Sequence, residues 1–187
     1  MSFQANVRPS YAARRYRGFS LIELLIVVSI ILIIASMAIP NLLRAKIAAN
    51  ESSAVGSLRA LASAQVLYQS TFPTIGFAPT LAALGPGASS GCPASGPTSA
   101  NACLIDWVLA QASTAATSKS GYYFAMGNTV ENSISMGYTI GAAPATFNSS
   151  GVRGFCLNED GVIRYLPVLN GPPVASTAGC LSYFPMQ

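Results

Sequence analysis

A short stretch at the start of an apolar segment carries the residues with the clearest capacity for chemistry. Residues 18–23 are Gly-Phe-Ser-Leu-Ile-Glu, and Glu23 is the single charged residue between positions 21 and 40. A secretory signal peptide is cut after its apolar core, at a site flanked by small residues. Here the glycine precedes the apolar run. Cleavage after Gly18 would therefore keep the apolar helix on the product and create a new α-amino group on Phe19.

Glu23 would lie inside a bilayer, where a carboxylate costs on the order of 3 kcal/mol on insertion scales and usually has a partner. The natural partner is the new amino group of Phe19, in the same chain or in a neighbouring one. In a packed filament this pair would neutralise the charge and set the axial register between subunits. The alternative is a plain signal anchor that tolerates one acid. The presence of Gly18 and Pro40 at these spacings argues against that alternative.

The segment from Gly18 to Glu23 resembles the class III prepilin signal shared by type IV pilins and type II secretion pseudopilins, and the resemblance extends over about residues 14–60. It implies cleavage after Gly18 by a prepilin peptidase and N-methylation of the new terminal residue, Phe19. It also implies that Glu23 guides assembly and that Pro40 marks a kink or melted stretch in the helix. The implied partners are further copies of the chain, membrane lipid, and an inner-membrane assembly platform with a separate ATPase motor.

The distribution of charge predicts the orientation of the chain in a membrane. Of its ten basic residues, four are arginines within positions 1–18, and the other six match the six acidic residues. An excess of Arg ahead of an apolar segment marks the cytoplasmic side, and about 20 apolar residues suffice to span a bilayer. We therefore expect a single-pass precursor in a bacterial inner membrane that later enters a periplasmic or cell-surface filament. The basic leader accounts for the high isoelectric point, so no nucleic-acid partner is expected.

The pattern along the chain predicts an α+β, pilin-like fold, with a long N-terminal helix packed on a C-terminal antiparallel sheet of three to four strands. The expected organisation is a cleaved basic leader (1–18), a transmembrane or filament-core helix (19–40), an amphipathic helix continuing into the globular domain (41–72), a connecting loop with a short helix (73–120), and the sheet with a Cys-pinned tail (121–187).

Periodicity places the elements of the globular part. Apolar positions of the amphipathic helix recur at spacings of three, four or seven, with Glu51 and Gln65 interrupting the stripe: Ile47, Ala54, Leu58, Leu61 and Tyr68. Asn101 is expected to cap a short helix over about 102–116, with Val108 facing inward. Strands are expected at 121–125, 137–141, 154–157 and 162–166. Residues 159–161, Glu-Asp-Gly, indicate a tight turn between the last two.

The cysteines all lie in the part expected to be exported: Cys92, Cys103, Cys156 and Cys180. An even number in an oxidising compartment predicts two disulfides, with three possible connectivities. Proximity in the chain favours a bond between Cys156 and Cys180 that pins the tail to the sheet. Cys92 and Cys103 would then close the connecting loop. A structural zinc site built from the four is the alternative.

The remaining composition argues against an enzyme. The chain has no His, which excludes a Ser-His-Asp triad, and the Gly-rich stretch 85–91 lacks the Lys-Ser/Thr of a phosphate loop. Some pseudopilins bind calcium near the C-terminus, which would point to Glu159 and Asp160 here. Too few acids surround that pair for a calcium loop. We therefore expect no catalytic residue, no metal and no cofactor.

The function expected from the sequence is that of a structural subunit, a prepilin, of a type IV pilus-like filament. The first alternative is a pseudopilin of a type II secretion system. The second is a membrane-anchored binding domain that never polymerises.

Overall fold

The computed structural model of the chain describes residues 18–89 and 91–186. The chain divides into two compact units, Met1–Pro40 and Asn41–Gln187. Helix α1 runs Leu21–Thr71 and contains Pro40. Of the predicted leader, all but Gly18 lies outside the described residues.

In the first unit, α1 is apolar on every side. Its large apolar side chains are between 46% and 80% exposed. Within the described part of the chain, α1 is the one helix long and apolar enough to cross a membrane, judged by length and composition. A helix that is apolar all round needs apolar surroundings. Since its own unit leaves it exposed, lipid or other helices must supply them.

In the second unit, α1 carries the amphipathic stripe that its periodicity predicted. Ala54, Leu58, Leu61 and Tyr68 are at most 1% exposed and form part of one hydrophobic core. The two polar residues on the stripe are buried as well, at 5% for Glu51 and 0% for Gln65. Gln65 is satisfied by one backbone unit: its Nε2 donates to the carbonyl of Ala78 at 3.2 Å, and its Oε1 accepts from the N–H of Ala78 at 2.8 Å. A polar side chain on the buried face is therefore compatible with this core.

The described residues form one antiparallel sheet with the strands in chain order. The strands are β1 (Tyr122–Glu131), β2 (Ile134–Pro144), β3 (Gly154–Asn158), β4 (Arg164–Leu166) and β5 (Phe184–Pro185). The prediction of an α+β fold is confirmed, although the sheet has five strands where three to four were expected. The turn predicted at residues 159–161 is present, since the N–H of Gly161 donates to the carbonyl of Asn158 at 3.0 Å.

Strands β1 and β2 are about twice as long as predicted. They are joined by Asn132 and Ser133, whose φ angles are +50° and +68°. Two consecutive residues with positive φ make the tight hairpin turn that matches the twist of the strands, and Asn tolerates this conformation well. Polar and glycine residues near the turn lowered the apparent strand propensity, so the prediction ended β1 too early and began β2 too late.

The short helices are α2 (Leu81–Leu84), α3 (Trp107–Gln111) and α4 (Thr177–Leu181), with a 3₁₀ turn at Ala115–Thr117. The predicted helix over 102–116 was wrong at both ends. Residues 102–104 instead run beside α2, where the N–H of Ala102 donates to the carbonyl of Ala83 at 2.8 Å. Asp106, not Asn101, caps α3 by accepting from the N–H of Leu109 at 2.7 Å. Val108 is 54% exposed and does not face inward.

The C-terminal tail lies on the face of the sheet opposite to α1. Cys156 is bonded to Cys180, and Cys92 to Cys103, the pairing that proximity favoured. Residues 174–176, here called the tail strap, cross the sheet over Gly127 and Gly141, two residues that have no side chain. A Cβ at Gly127 would overlap the carbonyl oxygen of Ala175, and one at Gly141 would overlap that of Val174. These two glycines therefore let the tail approach the sheet backbone closely.

Candidate functional site

The peptide bond between Gly18 and Phe19 is accessible. Residues 18–20 precede α1 and have no regular secondary structure. A Cβ at Gly18 would meet nothing within 4 Å, and Phe19 is 77% exposed. A peptidase must bind extended backbone on both sides of the bond it cuts. The structure leaves this bond free of helical hydrogen bonding and open to such binding.

Glu23 lies in the first turn of the helix. The carbonyl of Ser20 accepts hydrogen bonds from the N–H groups of Glu23 at 3.1 Å and Leu24 at 3.2 Å. An acid in this position interacts favourably with the partial positive charge of the helix N-terminus. Cleavage after Gly18 would leave only Phe19 and Ser20 ahead of the helix. The new amino group would then lie four residues, about one helical turn, from Glu23.

The serines of the apolar segment are satisfied within the helix. The Oγ of Ser29 donates to the carbonyl of Leu25 at 2.8 Å, and the Oγ of Ser36 donates to the carbonyl of Ile33 at 2.7 Å. Polar groups in a lipid environment need such internal partners. The carboxylate of Glu23 has no hydrogen-bond or ion-pair partner among residues 18–89 and 91–186. No described residue therefore neutralises its charge.

Pro40 lies inside α1, which runs Leu21–Thr71. Proline removes a backbone donor and crowds the preceding turn. The kink or melted stretch expected at Pro40 stays a prediction.

An ion pair that the sequence analysis missed, between buried Glu51 and partly exposed Arg153, anchors α1 to the sheet. The Oε1 of Glu51 accepts from the backbone N–H groups of Val152 and Arg153, both at 3.1 Å. Its Oε2 accepts from the Nε of Arg153 at 2.7 Å and lies 2.6 Å from the second guanidinium nitrogen. The sequence did contain a signal for this ion pair. Glu51 lies on the apolar face of the helix, and an acid buried there requires a partner.

The Glu51–Arg153 ion pair, here called the clamp, also affects the first residue of β1. Burial, followed by the negative charge of Glu51, raises the pKa of Tyr122, which therefore stays protonated. Its hydroxyl donates to the carbonyl of Arg153 at 2.8 Å. The clamp therefore joins α1, the segment before β3 and the first residue of β1.

In the β3–β4 turn, the carboxylate of Asp160 has partners within the chain. The Oδ2 of Asp160 lies 2.6 Å from a guanidinium nitrogen of Arg164, and its Oδ1 accepts from the N–H of Val162 at 2.9 Å. The hydrogen bond from Arg164 lowers the pKa of Asp160. Both oxygens of Asp160 are thus already engaged. The expectation that no calcium binds beside Glu159 stays a prediction.

Comparison with known proteins places the decisive similarity at the start of α1. Residues 13–39 match the family model described as the prokaryotic N-terminal methylation motif. We call residues 13–39 the pilin-like segment. It includes the exposed bond after Gly18 and the acid Glu23, whose carboxylate has no partner among the described residues.

Three curated proteins are similar to part of this chain. The type IV major pilin protein PilA of Myxococcus xanthus is 44% identical over 72 residues, which cover 35% of this chain and 33% of that protein. The type IV wide pilus major component PilA4 of Thermus thermophilus is 46% identical over 56 residues, covering 30% and 43%. The type II secretion system core protein G of Dickeya chrysanthemi is 39% identical over 64 residues, covering 33% and 42%.

The similarity is confined to part of each protein. The chain covers between 33% and 43% of the length of these relatives. No solved structure matches the chain.

Proposed function

We propose that the chain is a structural subunit, made as a prepilin, of a type IV pilus-like filament. The observation that carries this proposal is the first part of α1, which is apolar on all sides, exposed, and interrupted by one unpartnered carboxylate. Such a surface suits a helix that is first surrounded by lipid and later by copies of itself. Two proteins similar to part of the chain are described as a type IV major pilin and a type IV wide pilus major component.

Processing would occur at the exposed bond. A prepilin peptidase would hydrolyse the bond between the carbonyl carbon of Gly18 and the nitrogen of Phe19, and the new amino group would then be methylated. The leader would be released with its four arginines. Glu23 would pair with the amino group of Phe19 of a neighbouring copy.

The energetics suggest why this pair matters. Moving a helix from lipid into a bundle gains little from the hydrophobic effect, because lipid tails are as apolar as Leu. The gain must come from close packing and from neutralising Glu23, whose charge is costly in an apolar medium. We expect an assembly platform with a separate ATPase motor to supply the energy of extraction.

Mass spectrometry of the protein from its native membrane tests the processing step. The proposal predicts a chain that begins at N-methylated Phe19. A terminus at Met1 would instead favour a membrane-anchored domain that does not polymerise.

Glu23→Ala tests the assembly step. It should leave membrane insertion and processing intact and reduce sheared fibres at least tenfold. Ser29→Ala is the matched control, since Ser29 is already satisfied inside its own helix, and it should form fibres normally. Normal fibres from Glu23→Ala as the sole subunit would count against the pairing role.

A pseudopilin is the second candidate, favoured by the 39% identity with a type II secretion core protein. Deletion of the gene separates the two. Loss of long surface fibres with normal protein secretion supports a pilus, and loss of secretion without loss of fibres supports a pseudopilus.

A further inference from the structure

The charged residues beyond the leader divide into paired and unpaired groups. Three ion pairs form within the described chain: Glu51 with Arg153, Asp106 with Lys119 and Asp160 with Arg164. The other charged side chains have no partner in residues 18–89 and 91–186: Arg44, Lys46, Arg59, Glu23, Glu131 and Glu159. Among the described residues, every unpaired cation lies on α1. The unpaired anions of the second unit lie at the end of β1 and in the β3–β4 turn.

Glu131 and Glu159 lie at the same end of the sheet. Glu131 ends β1, and Glu159 directly follows β3. Because the strands are antiparallel and in chain order, the β1–β2 and β3–β4 turns fall at one end. The carboxylate of Glu159 lies beside Gly137, which pairs with Thr129, two residues before Glu131. Both carboxylates are exposed. We call this pair the acidic end.

The acidic end lies beside the C-terminal end of α1. The N–H of Ser135, at the start of β2, donates to the carbonyl of Ile75 at 2.9 Å, a few residues after α1 ends at Thr71. The opposite end of the sheet is held to the middle of α1. There the Nδ2 of Asn50 donates to the carbonyl of Ser150 at 2.8 Å, and Glu51 binds the segment before β3.

Arg44 and Lys46 come before Asn50 and therefore lie at the other end of the second unit. Both are exposed, and we call them the basic end. From Lys46 to Thr71 the helix rises about 37 Å. Charges this far apart are screened at physiological ionic strength, where the Debye length is about 8 Å. The two ends cannot neutralise each other within one chain.

We propose that the basic end of one copy docks on the acidic end of another, with Arg44 and Lys46 forming ion pairs with Glu131 and Glu159. The inference rests on the proposed function, and adds a second contact that lies outside the apolar segment. Each end carries two charges of opposite sign to the other. A second copy therefore supplies the complement of both ends at once, whereas anionic lipid could complement only the basic end.

The geometry of this contact suits a fibre. It joins two different surfaces of the same molecule, and repeated contacts of that kind make open filaments unless the rotation closes a ring. Exposed apolar side chains flank both ends: Leu42 and Leu43 at the basic end, and Val130 and Met136 at the acidic end. Contact between them would partly remove the ion pairs from water and strengthen them.

Two reversed variants of the full chain test the proposal in cells that lack the native copy. The basic-end variant carries Arg44→Glu and Lys46→Glu. The acidic-end variant carries Glu131→Lys and Glu159→Lys. Each variant alone has two ends of the same sign, so we expect sheared fibres to fall at least tenfold. Co-expressed, the variants should alternate, because each complements the other, and fibres should return to within about twofold of the native amount. A single chain with all four changes should also form fibres.

Arg59→Glu is the matched control, since Arg59 is an unpaired cation on α1 thirteen residues beyond Lys46. It should retain fibres. Membrane fractions should contain every variant with its terminus at Phe19, and the fluorescence of Trp107 should show the same melting temperature in each.

Native fibre amounts from either single variant would overturn the proposal. Failure of the folded, processed pair to assemble together would overturn it too, and would point to lipid or another protein at the basic end. An equal loss in Arg59→Glu would show that total charge, not the pairing of ends, decides assembly. If the native chain lacked N-methylated Phe19 and formed no fibres, the proposed function itself would fail. The variants test only the contact between the two ends, so the two failures are distinguishable.

Discussion

At the scale of single residues, Glu51 shows how a charge can be accommodated in an apolar core. Its side chain is 6% exposed, yet each of its oxygens has partners on Val152 or Arg153. The side chain of Arg153 is 44% exposed and also lies over the ring of Phe155, 5.7 Å from its centroid. The pair thus retains part of its hydration, which lowers the cost of burying it.

Glu51→Ala should destabilise the second unit by about 2 to 4 kcal/mol. It removes the acceptor for two backbone N–H groups and leaves Arg153 without its partner, and the partial exposure of Arg153 moderates the loss. Denaturant unfolding of the full chain in detergent, followed by Trp107 fluorescence, measures the change. Glu51→Gln is the control and should lose less, because the amide oxygen can still accept from the backbone. A change below about 0.5 kcal/mol for Glu51→Ala would show that the clamp does not stabilise the fold.

The ion pair between Asp160 and Arg164 predicts a dependence on pH. The hydrogen bond from Arg164 lowers the pKa of Asp160 below its ordinary value of 3.8. A lowered pKa means that the contribution is fully present above about pH 4 and is lost as the pH falls through the value in the folded chain. The native chain should therefore exceed Asp160→Asn in stability at pH 6, by no more than about 1 kcal/mol for so exposed a pair. The difference should vanish near pH 2, and an unchanged difference there would contradict this assignment.

Gly18, Phe19 and Glu23 form a recognisable motif because their spacing along one segment is itself the signal; their roles stay predictions. A contact with a distant partner could not be predicted in this way. The partner of Glu51 lies about a hundred residues away in the chain, and no local pattern indicates Arg153. The disulfide partners were predictable because each pair is close in sequence.

At the scale of elements, the tail strap and the sheet determine each other's position. Gly127 and Gly141 leave room for the backbone of residues 174–176, and the bond between Cys156 and Cys180 holds the following helix, α4, against the same face. The hydroxyl of Thr139 lies 3.1 Å from that of Thr177 and adds a polar contact. The strap therefore covers a region of sheet that has little side chain of its own.

Gly127→Ala should displace the strap. The new Cβ would overlap the carbonyl oxygen of Ala175, and backbone cannot yield as a flexible side chain can. We expect a loss of about 2 kcal/mol or more in unfolding free energy and faster cleavage of the tail by subtilisin, measured by intact mass. Gly171→Ala is the control in the same tail, since a Cβ there meets nothing within 4 Å. Equal cleavage rates for the two variants would show that Gly127 does not position the strap.

Elements with a strong period were predictable, and those shaped by long-range contacts were not. The buried stripe of α1 followed from spacing alone. The helix expected over 102–116 was shortened because residues 102–104 pair with the backbone around α2, which local propensity does not reveal. Strand β5 consists of two residues, Phe184 and Pro185, and exists only because β4 offers it an edge.

At the scale of the whole molecule, the proposed processing would change the charge as well as the length of the chain. The precursor has a net charge of +4 and an isoelectric point near 9.0. Without residues 1–18 the six basic residues balance the six acidic ones. A molecule with little net charge repels its copies weakly, which favours close association. The leader would thus keep precursors apart until it is removed.

Isoelectric focusing of the membrane-extracted protein should detect this change. We expect the processed chain to focus at least about 2 pH units below the precursor, because four arginines are lost and no acid. Gly18→Leu, which places a bulky side chain at the cleavage position, should keep the precursor's value. Identical focusing of the native chain and Gly18→Leu would show that the leader remains attached.

The tail strap also has a consequence for the order of events in time. Residues 174–180 are synthesised after the sheet positions that receive them, some fifty residues after Gly127 and about thirty after Gly141. Until the tail arrives, the backbone at Gly127 and Gly141 is uncovered and Cys156 has no partner. If the domain is exported as proposed, the oxidising compartment that closes the disulfide is reached only after crossing the membrane. The last step of folding would then be delayed until the subunit is already in the compartment where it assembles.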